Sequence, residues 1–301
     1  MNKNSITTII LTYNEAKHIE RCITNALLFS EKVIIVDSFS QDNTKEIARG
    51  LGAEVYEHEF INHAAQFNWA LENVDIATEW IFRLDADEYL SEELIDEINT
   101  EIPNVPTEIS GLVMERKMVF LGKTINKGNV KWNMLRLFRT GKGKCEERWM
   151  DEHIVLFEGT SKMLRNVFYD DNLNSLGWWI GKHNAYSIRE AVDLLNLKYH
   201  FLKEKKETLT VEMSADAQEK RLKKEKYNKM PLFWRSFIYF VYRYFFKLGF
   251  TEGKEGFLWH FLQGWWYRTL VDAKIYEIEK KCGNDAGMMS KYISGQYGLK
   301  L

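Results

Sequence analysis

The chain reads as an α/β protein, with a mostly parallel sheet covered by helices on both faces and a helical, aromatic-rich extension behind it. Three observations predict this. Over the first hundred residues, short β-branched runs alternate with segments of helical period, the pattern of parallel strands joined by crossover helices. Polar and acidic residues follow directly on the apolar runs, where open α/β sheets bind ligands. Between Met230 and Leu270, 16 of 41 residues are Phe, Trp or Tyr, against 14% for the whole chain.

The elements follow in order. "SITTIILT" is a β-rich run, and "NEAKHIERCITNALLF" places Ile19, Ile23 and Leu27 on one helical face. "KVIIVDS" is a second strand; "QDNTKEIARGLG" opens on capping residues and closes on glycine, as a helix does. "AEVYEHE" predicts a third strand, "NHAAQFNWALENV" a helix with Phe67 and Leu71 at i, i+4, and "EWIFRLDA" a fourth strand. "GLVMERKMVFLGKTI" and "NMLRLFRTGKGKCEERWMDEHIVLFEG" read as strands with turns, and the stretch from Phe201 to Asn228 as a charged helix. The expected organisation is one domain over residues 1–170 and a helical region over 171–301.

Composition narrows the function. A hydrophobic content of 45% supports a sizeable core, and a net charge of −2 argues against nucleic acid as a partner of the chain as a whole. Cys22, Cys145 and Cys282 are isolated, with no CxxC pair, which argues against a disulfide framework or a zinc site and for a reducing compartment. The N-terminal apolar run is short and ends in Asn14-Glu15, unlike a signal peptide. No GxGxxG and no GxxxxGK[ST] occurs, so neither a dinucleotide fingerprint nor a P-loop is supported.

The chemistry concentrates in "IFRLDADEYL", where Asp85, Asp87 and Glu88 end a buried strand. Like charges this close repel, and an unpaired buried carboxylate is costly. A divalent cation such as Mg2+ or Mn2+, which takes one or two carboxylates together with substrate phosphates, answers that charge. The plainer reading is that these acids cap the following helix, whose dipole favours them.

"TIILTYNEAKHIERCITNAL", "VIIVDSFSQDNTKEIARGLGAEV" and "WIFRLDADEYLSEEL" together resemble a family 2 glycosyltransferase of the GT-A fold, over about the first 100 residues. The resemblance implies sugar transfer from a nucleotide diphosphate sugar, usually with inversion. It implies that Thr12, Tyr13 and Glu15 line the nucleotide, that Asp37 lies near uracil and ribose, and that Asp85 and Asp87 bind metal. Asn68 stands where the family often has an asparagine facing the nucleotide, although Phe67 replaces the basic residue that commonly precedes it.

Inverting transfer needs a general base for the acceptor hydroxyl. "WMDEHIVLF" is similar to the corresponding segment of bacterial lipopolysaccharide-core glucosyltransferases, with Asp151 where a histidine is expected. Glu152 is the first choice of base and Asp151 the second. "KHNAYS" resembles the same subgroup, which implies that Lys182 offsets diphosphate charge and that His183 completes the metal shell. Arg136 and Arg139, in "RLFR", give a basic strand face that contacts phosphate or pairs with acids. The subgroup implies UDP-glucose as donor and a lipid-linked or lipopolysaccharide-type saccharide as acceptor; a non-catalytic nucleotide-sugar-binding scaffold, or a soluble or protein acceptor, is the alternative.

In the aromatic region, a helix over "PLFWRSFIYFVYRYFFKLGF" places Arg235, Arg243 and Lys247 within about 120° of arc, with Phe233, Phe237, Tyr244 and Leu248 elsewhere, as in a helix lying in a membrane interface. That reading expects a peripheral protein on an anionic membrane, at the inner face of the cytoplasmic membrane. Packing onto the catalytic domain or a homodimer contact is the alternative.

Overall fold

The computed structural model describes residues 4–128, 131–146, 153–201 and 226–299. The chain divides into two units, one of residues 1–126 and 130–174, the other of residues 127–129 and 175–301.

The first unit is built on a sheet in the order β3-β2-β1-β4-β8-β6-β11-β5, with β7 on β6. Strands β1 (Asn4–Thr12), β2 (Ser30–Asp37), β3 (Glu54–Glu57) and β4 (Trp80–Asp85) are parallel neighbours. Beyond β4 the sheet is mixed. β8 (Trp132–Arg139) runs antiparallel to β4 and to β6 (Ile109–Phe120), β11 (Thr160–Asp171) parallel to β6, and β5 (Glu88–Leu90) antiparallel to β11. β7 (Lys123–Ile125) pairs antiparallel with β6, and β9 (Gly143–Cys145) forms a separate antiparallel pair with β10 (Ile154–Leu156).

The central strands are largely apolar because both faces are covered, and the polar residues within them, Thr7, Thr8 and Arg83, are themselves buried. Ile6, Ile10, Val33, Ile35, Phe82 and Leu84 point into one core layer, and Ile9, Ile34, Val36 and Ile81 into the other. Helix α1 (Ile19–Ala26) closes the first layer with Ile19, Cys22, Ile23 and Ala26, a helical i, i+3, i+4, i+7 stripe. Helix α2 (Thr44–Gly50) adds Ala48 to that layer, and α3 (His63–Asn73) closes the other with Ala64, Phe67 and Ala70. Helix α4 (Glu92–Glu101) is capped by Ser91, whose hydroxyl accepts from Leu94 N at 3.2 Å. Strand β5 therefore separates Asp85 and Asp87 from the helix, and the acids are not its cap.

In the second unit, α5 (Leu176–Tyr199) packs on α8 (Tyr267–Cys282) through Ala191, Val192, Leu195, Val271 and Ile275, and α9 (Ala286–Tyr297) adds Met289 and Ile293. The aromatic segment is not one regular helix. α6 (Trp234–Val241) passes into a wide π-turn at Tyr242–Phe246, and α7 (Gly253–Trp259) follows after a 3-10 turn. Among the described residues no helix is long and apolar enough to cross a membrane.

The expected basic face of the aromatic helix is corrected here. Arg235 is 3% exposed and Arg243 2%. The guanidinium of Arg235 is held by Asp272, with Nε donating to Oδ1 at 2.7 Å, and Arg243 Nε donates to Gly128 O at 3.0 Å. A buried carboxylate and a buried carbonyl turn these arginines inward, so the aromatic side of the helix faces out; of the three cations only Lys247 is exposed. A Cβ at either Gly128 or Gly249 would run into the His260 ring, which is why this junction needs glycine twice.

Candidate active site

The site begins at the carboxyl ends of three adjacent strands. Thr12 is level with Asp37 across β1 and β2, and Leu11 is level with Asp85 across β1 and β4. Asp37 is fully buried and organises the loops above the sheet. Its carboxylate accepts from Thr12 Oγ1 at 2.7 Å, from Ser40 N at 2.7 Å and from Ser40 Oγ at 2.6 Å.

The loops after β1 and β2 are tied together further out. Asn14 N donates to Ser40 Oγ at 2.8 Å, Gln41 N to Asn14 Oδ1 at 2.8 Å, and Glu15 N to Thr44 Oγ1 at 2.8 Å. Glu15 also holds His18 through Nδ1 at 2.6 Å, while His18 Nε2 accepts from Leu173 N at 2.9 Å. On this rigid rim stand two exposed aromatic rings, Tyr13 and Phe39, 59% and 50% accessible. Phe39 has φ +61, a left-handed conformation that is unfavourable for a bulky residue and marks the position as one to explain by function.

Asp85 ends β4 and Asp87 lies in the turn before β5, and both are partly exposed. Asp85 Oδ2 accepts from Arg136 Nη2 at 3.0 Å, and Asp87 Oδ2 from Asn172 Nδ2 at 2.9 Å. Each is thus oriented through one oxygen and keeps a second. Among the described residues no cluster of three or more His, Cys, Asp or Glu side chains forms a ready-made metal cage. Two oriented carboxylates without a cage are the donor set that suits Mg2+ or Mn2+ shared with a substrate diphosphate.

Beneath this pair lies a charge cluster in which Arg136 takes the second of its two expected roles, pairing with acids. Glu88 is 1% exposed; its Oε1 accepts from Arg136 Nη2 at 2.6 Å and its Oε2 from Asp85 N at 3.0 Å. Arg116 adds a contact to Asp170 at 3.3 Å and a longer one to Glu88 at 3.8 Å. Burial works against ionisation of Asp85, but the charges of Arg136 and Arg83 outweigh it and hold its carboxyl below the usual range. Burial pushes Glu88 up to about 8, with Arg136 pulling against the shift and Asp85 adding to it. Arg136 is therefore a buried strut for Asp85 and Glu88, not an exposed cation. Arg139 does not share its face. It lies over the Trp80 ring at 4.4 Å and donates to Ile109 O at 3.0 Å, because residues three apart on a strand point to opposite sides.

The other expected residues have distinct surroundings. Asn68 gives its amide to the backbone of Cys145, donating to O at 2.8 Å and accepting from N at 2.8 Å, which ties α3 to β9. Lys182 and His183 belong to the second unit. His183 stacks on Trp179 with ring centroids 3.5 Å apart, and Nδ1 meets Trp179 O at 2.9 Å. Burial lowers its pKa to about 4. Lys182 lies over the Trp178 ring at 4.8 Å. Asp151 and Glu152 fall outside the described residues; on either side of their segment, Glu146 N donates to His153 O at 2.8 Å.

The model of glycosyl transferase family 2 matches residues 7–166, a span that takes in the whole strand-end constellation from Thr12 to Asp87. The chain belongs to glycosyl transferase family 2. Sugar transfer is accordingly its general chemistry. This family 2 transferase is 29% identical over 200 residues to an uncharacterised glycosyltransferase of Rickettsia prowazekii, covering 63% of this chain and 68% of that one. It is 33% identical over 91 residues to the prophage-derived glycosyltransferase SunS of Bacillus subtilis, covering 30% of this chain and 21% of that one. Among solved structures, the mannosyltransferase PcManGT of Pyrobaculum calidifontis, in complex with GDP-Man and Mn2+, matches with a TM-score of 0.50 at 16% identity, over 92% of this chain and 88% of that one. At that identity the likeness speaks to the fold, and the fold is GT-A.

Proposed function

We propose that this family 2 transferase is an inverting enzyme that moves a hexose, glucose first, from a UDP-sugar to a hydroxyl of a lipid-linked saccharide of the lipopolysaccharide type. The observation that carries the donor side is the placement of Thr12 level with Asp37, and of Asp85 one register position away, on three neighbouring parallel strand ends, with Asp87 two residues on. The tied loops hold Tyr13 and Phe39 where a nucleobase and ribose can lie against them. Asp85 and Asp87 are the residues that would hold Mg2+ or Mn2+. Bound there, the cation supplies neutralisation of the leaving diphosphate's charge. Glu152 takes the acceptor proton, with Asp151 as the second choice, and attack from the face opposite the leaving group inverts the anomeric carbon. An acceptor on a lipid places the reaction at the inner face of the cytoplasmic membrane.

Calorimetric titration of UDP with and without Mn2+ tests the donor reading. Wild type should bind UDP more tightly with Mn2+, and Asp87→Ala should lose that gain while keeping its circular dichroism. An Mn2+-dependent gain of wild-type size in Asp87→Ala would overturn the assignment.

A further inference from the structure

We infer that the outer face of α6 and its π-turn is a bilayer anchor, an aromatic ridge that enters the headgroup region of an anionic membrane. This deepens the lipid-linked acceptor reading and rests on it for its purpose; the contact surface differs from the basic face that the helical arc of Arg235, Arg243 and Lys247 implies.

The ridge consists of Trp234, Phe237, Ile238, Tyr242, Phe245 and Phe246, all between 40% and 74% exposed. Trp234 meets the Phe237 ring, Phe237, Ile238, Tyr242 and Phe246 border one concavity, and Phe245 stands beside Phe246 in the π-turn, so the six form one continuous stripe across the helix and its π-turn. Large apolar side chains scattered singly on a surface need no explanation, but a contiguous stripe of six does. The stripe is held outward by the buried arginines. Arg235 is locked to Asp272, which also accepts from Phe233 N at 2.7 Å, and Arg243 is locked to Gly128. Rotating the helix to hide the aromatics would drag two guanidinium groups out of buried hydrogen bonds. Between Phe237, Ile238, Val241, Tyr242 and Phe246 lies a wholly apolar concavity of about 340 Å³.

Charge selects the occupant. From Pro231 to Phe257 the exposed charged side chains are Lys247 and Lys254; of the acids, Glu252 is buried and Glu255 half-buried. Lysine beside an exposed aromatic stripe fits an anionic headgroup layer, where aromatic rings favour the interface and basic residues gain from the surface potential. A twofold contact between two copies would put the same patch on both sides, and Pro231 to Lys254 offers its lysines no exposed acid to pair with.

Flotation of the full chain with vesicles tests the anchor, comparing phosphatidylglycerol-containing vesicles with pure phosphatidylcholine. Wild type should float with the anionic vesicles. Trp234→Ser/Phe246→Ser, changed only at exposed positions, should bind them at least about tenfold more weakly while melting at the wild-type temperature and hydrolysing UDP-sugar in solution at the wild-type rate. Lys247→Glu/Lys254→Glu should float only at reduced levels and lose the dependence on salt. Wild type that hydrolyses UDP-sugar but ignores anionic vesicles overturns the anchor and leaves the donor reading in place. A Trp234→Ser/Phe246→Ser protein that floats as wild type does also overturns it. So does a wild-type dimer that this double variant converts to monomer with no vesicle binding by either form, which would make the ridge a self-association face.

Discussion

Replacing Arg136 with methionine removes the guanidinium shared by Glu88 and Asp85 while keeping a stem of similar length. Two charge-assisted hydrogen bonds disappear, at 2.6 and 3.0 Å. Bonds to a charged group contribute about 1.5–3 kcal/mol each; with Glu88 pushed up to about 8, its carboxyl is largely neutral at pH 7, and the larger cost of an orphaned buried charge does not apply. Glu88 is 1% exposed and takes the full effect, whereas the Asp85 side chain is 35% exposed and solvent screens its share. The expected loss is therefore about 2–3 kcal/mol. Arg136→Met/Glu88→Met replaces the buried pair by apolar side chains, a change that is often close to neutral. The double variant should be more stable than Arg136→Met alone by about 1–3 kcal/mol. Urea unfolding followed by circular dichroism, with midpoint and slope compared across the four proteins of the cycle, measures both quantities. A loss below about 1 kcal/mol in Arg136→Met, the scale of an exposed pair, or losses that simply add in the double variant, would refute the buried-strut reasoning.

Three further expectations concern the general base, an exposed ring beside the donor site and a buried histidine. Glu152→Gln should leave UDP affinity nearly unchanged and slow transfer by about 10²–10⁴; a loss in Asp151→Asn instead would move the base by one residue, and transfer rates on the two variants decide. Phe39→Asn, a side chain that tolerates left-handed backbone, should change stability by no more than about 1 kcal/mol yet weaken UDP binding severalfold, whereas unchanged affinity by calorimetry would remove Phe39 from the donor site. His260 is fully buried and its pKa falls to about 4 by burial and the nearby Arg243 charge. The unfolded chain therefore binds a proton that the folded chain refuses, and the stability present above pH 6.5 is lost as the pH falls toward 4, by about 2 kcal/mol between pH 6.5 and 5. Thermal unfolding of His260→Phe should show a flatter profile over that range, and an identical slope would contradict the buried neutral ring.

The parts of the site that sequence made legible are those written in local pattern. A strand buried on both faces is a largely apolar run, so the polar residues that close it mark its end; Thr12, Asp37 and Asp85 stand out for that reason. Glu88 carries no such mark, because its meaning depends on Arg136, 48 residues on, and on the pairing of β8 with β6 that sets the arginine beneath it. The shared basic face expected of Arg136 and Arg139 went against the strand period, which separates residues three apart. In α6 the helical arc groups Arg235 with Arg243, but an arc does not say which side is inside. Asp272 and Gly128, distant in sequence, decide that, and they turn the cations inward. Asn68 is similar: its i, i+4 surroundings read as an ordinary helix, and its clamp on Cys145 appears only when β9 is in place.

Sugar transfer from a nucleotide donor is tested most directly by incubating the full chain with a panel of nucleotide sugars and measuring nucleoside diphosphate release, with Mn2+ and with EDTA. UDP-glucose, or another UDP-hexose, should release UDP above the protein-free rate with Mn2+, and EDTA should abolish that release. Full release in EDTA, or no nucleoside diphosphate from any donor in the panel, would contradict metal-assisted transfer at Asp85 and Asp87.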